Sequence, residues 1–296
     1  MRYPGGKNKV SKVIVPYIKR FYYENECKNT CIYVEPFWGS GSIGLKLLSD
    51  NVISKIAIND YDIGIACFWT AVLREPNELC RMIDKFKPSS FEFYRIKNKF
   101  SEKRIRHKIT EENYVQIGFE KLAIHQISYS GLGVKSGGPL GGREQTSKYK
   151  IDCRWNPKYL KNKIKKYSNL FSKVKIEKKV CGSYSFELVF KEFQNSETFY
   201  YLDPPYYKTG SQLYQYYFTE TEHINLSKIL KKMKQPWLLS YDVTDEIKEI
   251  YNWAVIIEFS LKYTISTSRS RRELLICSPD FKTLLGPLEE DIFNNK

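Results

Sequence analysis

Short apolar runs alternate with segments of helical periodicity along the chain, and their order predicts an α/β fold. Residues 31–35 are apolar and partly β-branched, which predicts a buried strand, and a glycine-rich turn follows them. Apolar side chains at helical spacing then predict a helix at 42–50, and a second strand is predicted at 55–59. This strand–turn–helix–strand order is typical of the start of a doubly wound parallel sheet.

The same alternation returns in the last third of the chain. The predicted elements there are strands at 198–202, 237–241, 253–259 and 273–278, with helices at about 220–234 and 243–251. The run at 253–259 has parallel-sheet character, as do the two strands before it. The late strand at 273–278 is predicted to form a hairpin with 258–264.

Positive charge is concentrated in the middle of the chain. The net charge is +15 over 296 residues, but residues 81–180 hold 25 Lys and Arg against 9 Asp and Glu, a net of +16. Because such a block repels itself unless a polyanion offsets it, nucleic acid is the favoured partner. The block lacks a strong apolar stripe, which disfavours an acidic membrane surface.

This basic block also divides the predicted α/β domain. We expect a discontinuous domain of residues 1–80 and 181–296, interrupted by a mainly helical insert at 81–180. Within the insert, 127–142 contains six glycines in sixteen residues, which predicts a long flexible loop without a regular element.

Composition excludes several classes of protein. Hydrophobic residues make up 42% of the chain, enough for a large core, and no apolar run approaches the ~20 residues that span a bilayer. No secretory signal is recognisable at the polar N-terminus. Seven cysteines without a CxxC pair and three histidines favour reduced thiols and no metal site. We therefore expect a cytoplasmic protein.

A glycine-rich turn after the first predicted strand indicates a cofactor site. Residues 39–44 read GSGSIG, and Asp60 follows about 20 residues later, at the end of the second predicted strand. The glycines allow close approach of a ligand, and Asp60 can accept hydrogen bonds from ribose hydroxyls. This pattern serves both NAD and S-adenosylmethionine. Glu35 beside the turn favours the cationic cofactor, because a carboxylate there would repel a pyrophosphate.

The sequence Asp203-Pro204-Pro205-Tyr206 follows directly on a predicted buried strand. Two prolines make this loop rigid and expose its carbonyl groups. An exocyclic amine on a base is a poor nucleophile because its lone pair is delocalised into the ring. The Asp203 carboxylate and the Pro204 carbonyl could accept its hydrogens and direct that lone pair towards an electrophile, while Tyr206 stacks on the base. This loop therefore indicates methyl transfer to an amine.

A third motif, Tyr3-Pro4-Gly5-Gly6-Lys7, precedes the other two. The order of Pro-Gly-Gly-Lys, EPFWGSG, an acid, a long insert and DPPY resembles the Dam-type (alpha-class) DNA adenine methyltransferases over nearly the whole chain. The resemblance implies a Rossmann-like methyltransferase fold, S-adenosylmethionine as methyl donor and adenine in double-stranded DNA as acceptor. It also implies that the insert is the target-recognition domain.

The resemblance assigns roles to individual residues. The expected cofactor contacts are Tyr3, Gly6, Lys7, Glu35, Phe37, Gly39, Gly41, Asp60 and Asp203. The expected catalytic loop is Asp203, Pro204, Pro205 and Tyr206. The placement of basic residues, apart from the resemblance, gives the expected DNA contacts, which are Lys135 and Arg143 at the glycine-rich loop and Arg269, Arg271 and Arg272 late in the chain.

Other functions remain open at this point. Methyl transfer to an RNA base or to a protein glutamine uses similar loops, and the scaffold could also serve a non-catalytic DNA-binding protein. An NAD-dependent oxidoreductase is disfavoured for want of a proton donor near the strand ends. A cognate restriction endonuclease is a candidate partner, and a monomer is expected in solution. The recognition sequence is left open.

Overall fold

The computed structural model describes residues 10–101, 109–176, 184–261, 271–279 and 281. Its seven strands are β1 Ile32–Glu35, β2 Lys55–Ile58, β3 Lys175–Ile176, β4 Thr198–Leu202, β5 Trp237–Asp242, β6 Val255–Leu261 and β7 Arg271–Cys277. They form one sheet in the order β3-β2-β1-β4-β5-β7-β6. The predicted α/β class and six of the seven strands are confirmed.

The sheet is parallel from β3 to β5, and its last two strands form an antiparallel hairpin. β7 pairs antiparallel with both β5 and β6, and the β6–β7 register runs from Val255 opposite Cys277 to Leu261 opposite Arg271. The predicted hairpin is therefore confirmed, although its first arm begins at Val255. The interpretation of 253–259 as a parallel strand was wrong, because β6 bonds only to β7 among the strands described.

Helices cover both faces of the sheet. They are α1 Ser11–Glu24, α2 Ser42–Ser49, α3 Ile63–Arg74, α4 Pro76–Lys85, α5 Ser90–Ser101, α6 Tyr114–Ile127, α7 Pro157–Phe171, α8 Phe186–Phe193, α9 Gly210–Leu213, α10 Glu220–Lys232 and α11 Asp245–Ile250. Alternate residues of each strand enter different clusters: Phe199 and Tyr201 join side chains of α1 to α7, whereas Tyr200 and Leu202 join α8, α10 and α11. All of β4 is buried, as expected of a central parallel strand.

The basic block is mainly helical, with α5, α6 and α7 lying wholly inside it. Phe93 of α5 and Ile124 of α6 belong to the same hydrophobic cluster as Trp69 of α3. Helix α4 spans the predicted boundary at residue 80. The division into two domains stays a prediction.

The glycine-rich segment 127–142 is more ordered than its composition indicates. It contains two short 3₁₀ turns, at Tyr129–Gly131 and Gly133–Lys135. The Gly133 amide donates to Ser128 Oγ at 2.9 Å, and the backbone amide of Leu140 donates to the carbonyl of Ile127 at 2.8 Å. Short polar side chains thus supply the backbone bonds that a regular element would otherwise provide.

Among the helices that the structure describes, none is both long and apolar enough to cross a bilayer.

Candidate active site

A cavity of about 430 Å³ opens where the strand order reverses, between β1 and β4. Ligands of open α/β sheets bind at this switch point, beyond the carboxyl ends of the strands. Glu35 ends β1, Asp60 follows β2 and Asp203 follows β4, and all three line the cavity. The sheet therefore brings together acids that are far apart in the sequence.

The glycine turn forms the floor of this cavity and is held by Asp60. Asp60 Oδ2 accepts a hydrogen bond from the Gly39 amide at 2.7 Å, and Oδ1 accepts one from the Asp62 amide at 2.8 Å. Gly41 has a φ of +67°, and a Cβ there would lie 2.5 Å from the Trp38 indole. Glycine is required at this position both by the backbone conformation and by the packing.

The charge on the cavity lining is entirely acidic among the residues described. Its charged members are Glu35, Asp60, Asp62, Glu187, Asp203 and Glu222. Burial, and then the charge of Asp62, raises the pKa of Asp60 to about 7. Burial also raises the pKa of Glu35 well above its usual range, although Tyr33 Oη donates to its carboxylate at 2.7 Å. Such a cavity favours a cationic ligand and disfavours a pyrophosphate.

The DPPY loop contributes two of its four residues to the cavity lining, Asp203 and Pro205. Ser240 Oγ on β5 lies 3.1 Å from Asp203 Oδ1 and donates to it. The Tyr206 side chain is only 2% exposed and packs in the cluster on the α8–α10 face. Pro204 is buried as well. Stacking of a base on Tyr206 stays a prediction.

Aromatic rings line much of the cavity, and the sequence interpretation did not include most of them. They come from three parts of the chain: Phe37, Trp38 and Tyr61 near the strand ends, Tyr184 and Phe186 before and in α8, and Tyr214, Tyr216, Tyr217 and Phe218 after the DPPY loop. Phe218 lies 5.7 Å from Phe37 between ring centroids. The dense run YQYYF at 214–218 was the signal that could have pointed to this wall.

Asn59 positions one of these aromatic residues. Its side-chain amide donates to the carbonyl of Tyr184 and accepts from the amide of Tyr184, both at 3.0 Å. It also donates to the Pro36 carbonyl at 3.0 Å. One buried side chain therefore joins the end of β2 to the turn after β1 and to the segment before α8.

Residues 3–265 match the sequence profile of the D12 class N6 adenine-specific DNA methyltransferases. The chain belongs to this family. It is 22% identical over 264 residues to the Type II methyltransferase M.CviBI of Paramecium bursaria Chlorella virus NC1A, covering 86% of this chain and 89% of the viral protein. It is 26% identical over 248 residues to the Type II methyltransferase M.MjaIII of Methanocaldococcus jannaschii, covering 79% of each chain.

Family membership confirms the predicted resemblance and the adenine-specific DNA methyltransferase class. It implies a methyl donor and a DNA substrate. The seven-stranded mixed sheet is consistent with the Rossmann-like methyltransferase fold that was expected. The alternative of an NAD-dependent oxidoreductase is thereby set aside.

Of the predicted DNA contacts of this methyltransferase, three have described side chains, and one of these lies beside the cavity. Lys135 Nζ lies 5.5 Å from the ring centroid of Tyr217, which lines the cavity. Arg143 is largely exposed, and its guanidinium lies 6.0 Å from the Tyr94 ring centroid. Arg272 on β7 is exposed and pairs with Glu258 at 2.9 Å. Their contacts with DNA stay predictions.

Several predicted site residues lie outside the part of the chain that is described. These are Tyr3, Gly6, Lys7 and Arg269, together with the side chain of Arg271. Among the residues described, the candidates for binding the methyl donor are those that line the cavity, which include Glu35, Phe37, Gly39 and Asp60. Gly41 shapes the turn next to them.

Proposed function

We propose that this methyltransferase transfers a methyl group from S-adenosylmethionine to the exocyclic amino group of an adenine flipped out of double-stranded DNA. The observation that carries the proposal is one cavity lined by Glu35, Asp60 and Asp203, with aromatic residues around them and carboxylates as its described charged groups. A sulfonium cofactor is a cation, and its adenine ring is planar. The acids match the charge and the aromatic rings match the shape.

The acids of the cavity have different roles in the proposed reaction. Asp60 accepts hydrogen bonds from the ribose hydroxyls, using lone pairs beyond those that receive the Gly39 and Asp62 amides. Glu35 at the tip of β1 has a raised pKa, and a bound cation would lower that pKa and favour the carboxylate form there. When bound, the cofactor supplies an electrophilic methyl group. Asp203 accepts a hydrogen bond from the adenine amine and is itself oriented by a hydrogen bond from Ser240.

Double-stranded DNA is the proposed substrate because of the basic face of α7. This helix carries Lys158, Lys161, Lys163, Lys165 and Lys166 and no acidic residue. Lys163 and Lys166 line a groove of about 800 Å³ that shares Ser40 and Ser42 with the active-site cavity. Phosphate contacts along this groove would compensate for the few kcal/mol that base flipping costs. The insert at 81–180 is the proposed target-recognition domain.

The biological setting is proposed from the relatives. Both are Type II methyltransferases by name, so we propose a restriction–modification role with a cognate endonuclease. The enzyme would act in the cytoplasm as a monomer.

The test is expression in a bacterial host that lacks adenine methylation, followed by mass spectrometry of nucleosides from its DNA and RNA. N6-methyladenine is expected in DNA with the wild-type chain and absent with Asp203→Ala, whose folding is checked by its melting temperature. Single-molecule sequencing of the same DNA would give the recognition sequence. Methylated adenine confined to RNA, or no methylated base at all, would overturn the proposal.

A further inference from the structure

Lys121 on α6 is a buried cation that no step of the proposed reaction uses. Its side chain is 2% exposed, and its Nζ forms an ion pair with Asp62 Oδ2 at 2.5 Å. The same Nζ lies 5.2 Å from the centroid of the Phe100 ring. Because a buried ammonium is costly unless it is paired, a lysine at this place requires an explanation beyond solubility.

The partner of Lys121 is next to the cofactor acid. Asp62 begins α3, and its Oδ1 accepts from the amides of Gly64 at 2.9 Å and Ile65 at 3.3 Å. Its own amide donates to Asp60 Oδ1 at 2.8 Å. The ion pair therefore holds the short turn that presents Asp60 to the cavity.

Lys121 also contacts the aromatic wall. Its Nζ donates to Gln215 Oε1 at 3.4 Å, and Gln215 Nε2 donates to the carbonyl of Phe100 at 2.7 Å. Gln215 lies within the run 214–218 and lines the cavity. One ammonium group thus joins α6 of the insert to the Asp60 turn and to the opposite wall.

We propose that Lys121 is a positioning residue of the cofactor site, which compensates the paired charges of Asp60 and Asp62 and ties the insert to the cavity. The inference rests on the proposed function, since it takes the cavity to be the S-adenosylmethionine site. Lys121 touches neither the cofactor nor the base in this role. It acts through the ionisation and the placement of Asp60.

Two titratable groups near the Lys121–Asp62 ion pair, His125 and Cys67, do not change charge near neutral pH. Burial, then Lys121, lowers the pKa of His125 to about 3, and burial raises the pKa of the Cys67 thiol to about 12, so both stay neutral. Glu35 and Asp203 face Asp60 across the cavity and are common to every variant below. The positive charge of Lys121 is therefore expected to act on the ionisation of Asp60, beside Asp62.

Removal of Lys121 and removal of Asp62 are expected to shift the pKa of Asp60 in opposite directions. In Lys121→Met, Asp60 loses a nearby positive charge that lowers its pKa, so Asp60 is expected to keep its proton to a higher pH. In Asp62→Asn, the amide oxygen still caps α3, and the remaining lysine favours ionised Asp60. The double variant removes one charge of each sign and leaves Asp60 close to its original environment.

The experiment measures the dissociation constant of S-adenosylhomocysteine by calorimetry from pH 6 to 9. Lys121→Met is expected to bind about tenfold more weakly at pH 7 and to shift the pH midpoint up by about one unit. Asp62→Asn is expected to shift the midpoint down, and Lys121→Met/Asp62→Asn to restore it. Lys99→Met is the matched control, because Lys99 is a lysine of the same insert that pairs with Glu120 at 2.6 Å.

Each outcome decides between the claims. A folded Lys121→Met with an unchanged midpoint, or a double variant that keeps the shifted midpoint, would overturn the positioning role, because loss of packing alone does not move a titration. If Lys121→Met does not fold, Lys121→Gln, which removes the charge, and Lys121→Arg, which keeps it, carry the test: the midpoint is expected to rise in the first and not in the second, and equal midpoints in both would overturn the role. Failure of the wild-type chain to bind S-adenosylhomocysteine would instead overturn the proposed function, and this inference with it.

Discussion

Replacement of Asp60 by asparagine is expected to stabilise the protein at neutral pH while it weakens the cofactor site. Asp60 is a carboxylate whose pKa is raised from 3.8 to about 7, first by burial and then by Asp62. A group with a raised pKa in the folded state contributes its stability fully below the unfolded pKa and loses it as the pH rises through the folded pKa. The stability of the wild-type chain therefore falls as the pH rises from about 3.8 to about 7, and the full penalty is present above about pH 7, where Asp60 must ionise.

The magnitude follows from the size of the shift. About three pKa units at ~1.36 kcal/mol each give an upper limit of about 4 kcal/mol over the whole range, of which about 2–3 kcal/mol falls between pH 5 and 7. Asparagine loses one acceptor, so either the Gly39 or the Asp62 amide is left unpaired, at about 1–3 kcal/mol. That cost is the same at every pH, whereas the stability gained by removing the buried carboxyl group grows with pH.

Urea unfolding of both proteins at pH 5 and pH 8 measures the difference. The free energy of unfolding of Asp60→Asn relative to wild type is expected to rise by about 2–3 kcal/mol between these values. Asp50→Asn is the control, because Lys19 and Lys46 hold the pKa of Asp50 below its usual value despite partial burial, so its effect is constant over this range. A difference for Asp60→Asn that does not change with pH would refute the reasoning.

Three further predictions concern the turn, the groove and the loop. Gly41→Ala should lower the free energy of unfolding by about 1–3 kcal/mol, measured in urea, because a Cβ would meet Trp38 at a positive φ; a neutral effect would contradict the geometry of the turn. Lys163→Gln/Lys166→Gln should weaken DNA binding to all sequences alike and flatten its salt dependence in a titration, and a change in sequence preference would argue against phosphate contacts. Asp203→Ala should reduce methyl transfer by ~100-fold or more while folding and DNA binding stay largely intact, and near-normal turnover would remove it from catalysis.

Elements with a pattern of their own could be predicted from the sequence, and so could the hairpin of its last two strands, but most contacts between distant segments could not. β1, β2 and β4 were predicted because their own residues are apolar enough to be buried on a central sheet. β3 was missed because Lys175–Ile176 has no pattern of its own and pairs only because β2 lies beside it. Lys121 was missed for a related reason: a lysine in a basic block indicates a solvated face, and only the packing of α6 against α3 shows its partner.

The same distinction holds for the candidate site. The DPPY motif predicted the position of Asp203 but not the burial of Tyr206. The DPPY sequence placed an acid and an aromatic residue at one strand end, and the structure puts Asp203 at the cavity but buries the ring of Tyr206 in the core. Removal of a buried ring lowers the free energy of unfolding by about 3–5 kcal/mol whether or not the ring contacts a base. Lost activity in Tyr206→Ala would therefore not by itself demonstrate stacking. The rings at 214–218, of which Tyr217 is exposed and the others are half-buried, must be compared with Tyr206. A base held by stacking should respond to Tyr216→Ala or Tyr217→Ala, which remove rings at the cavity without emptying the core, and insensitivity to both would return the role to Tyr206.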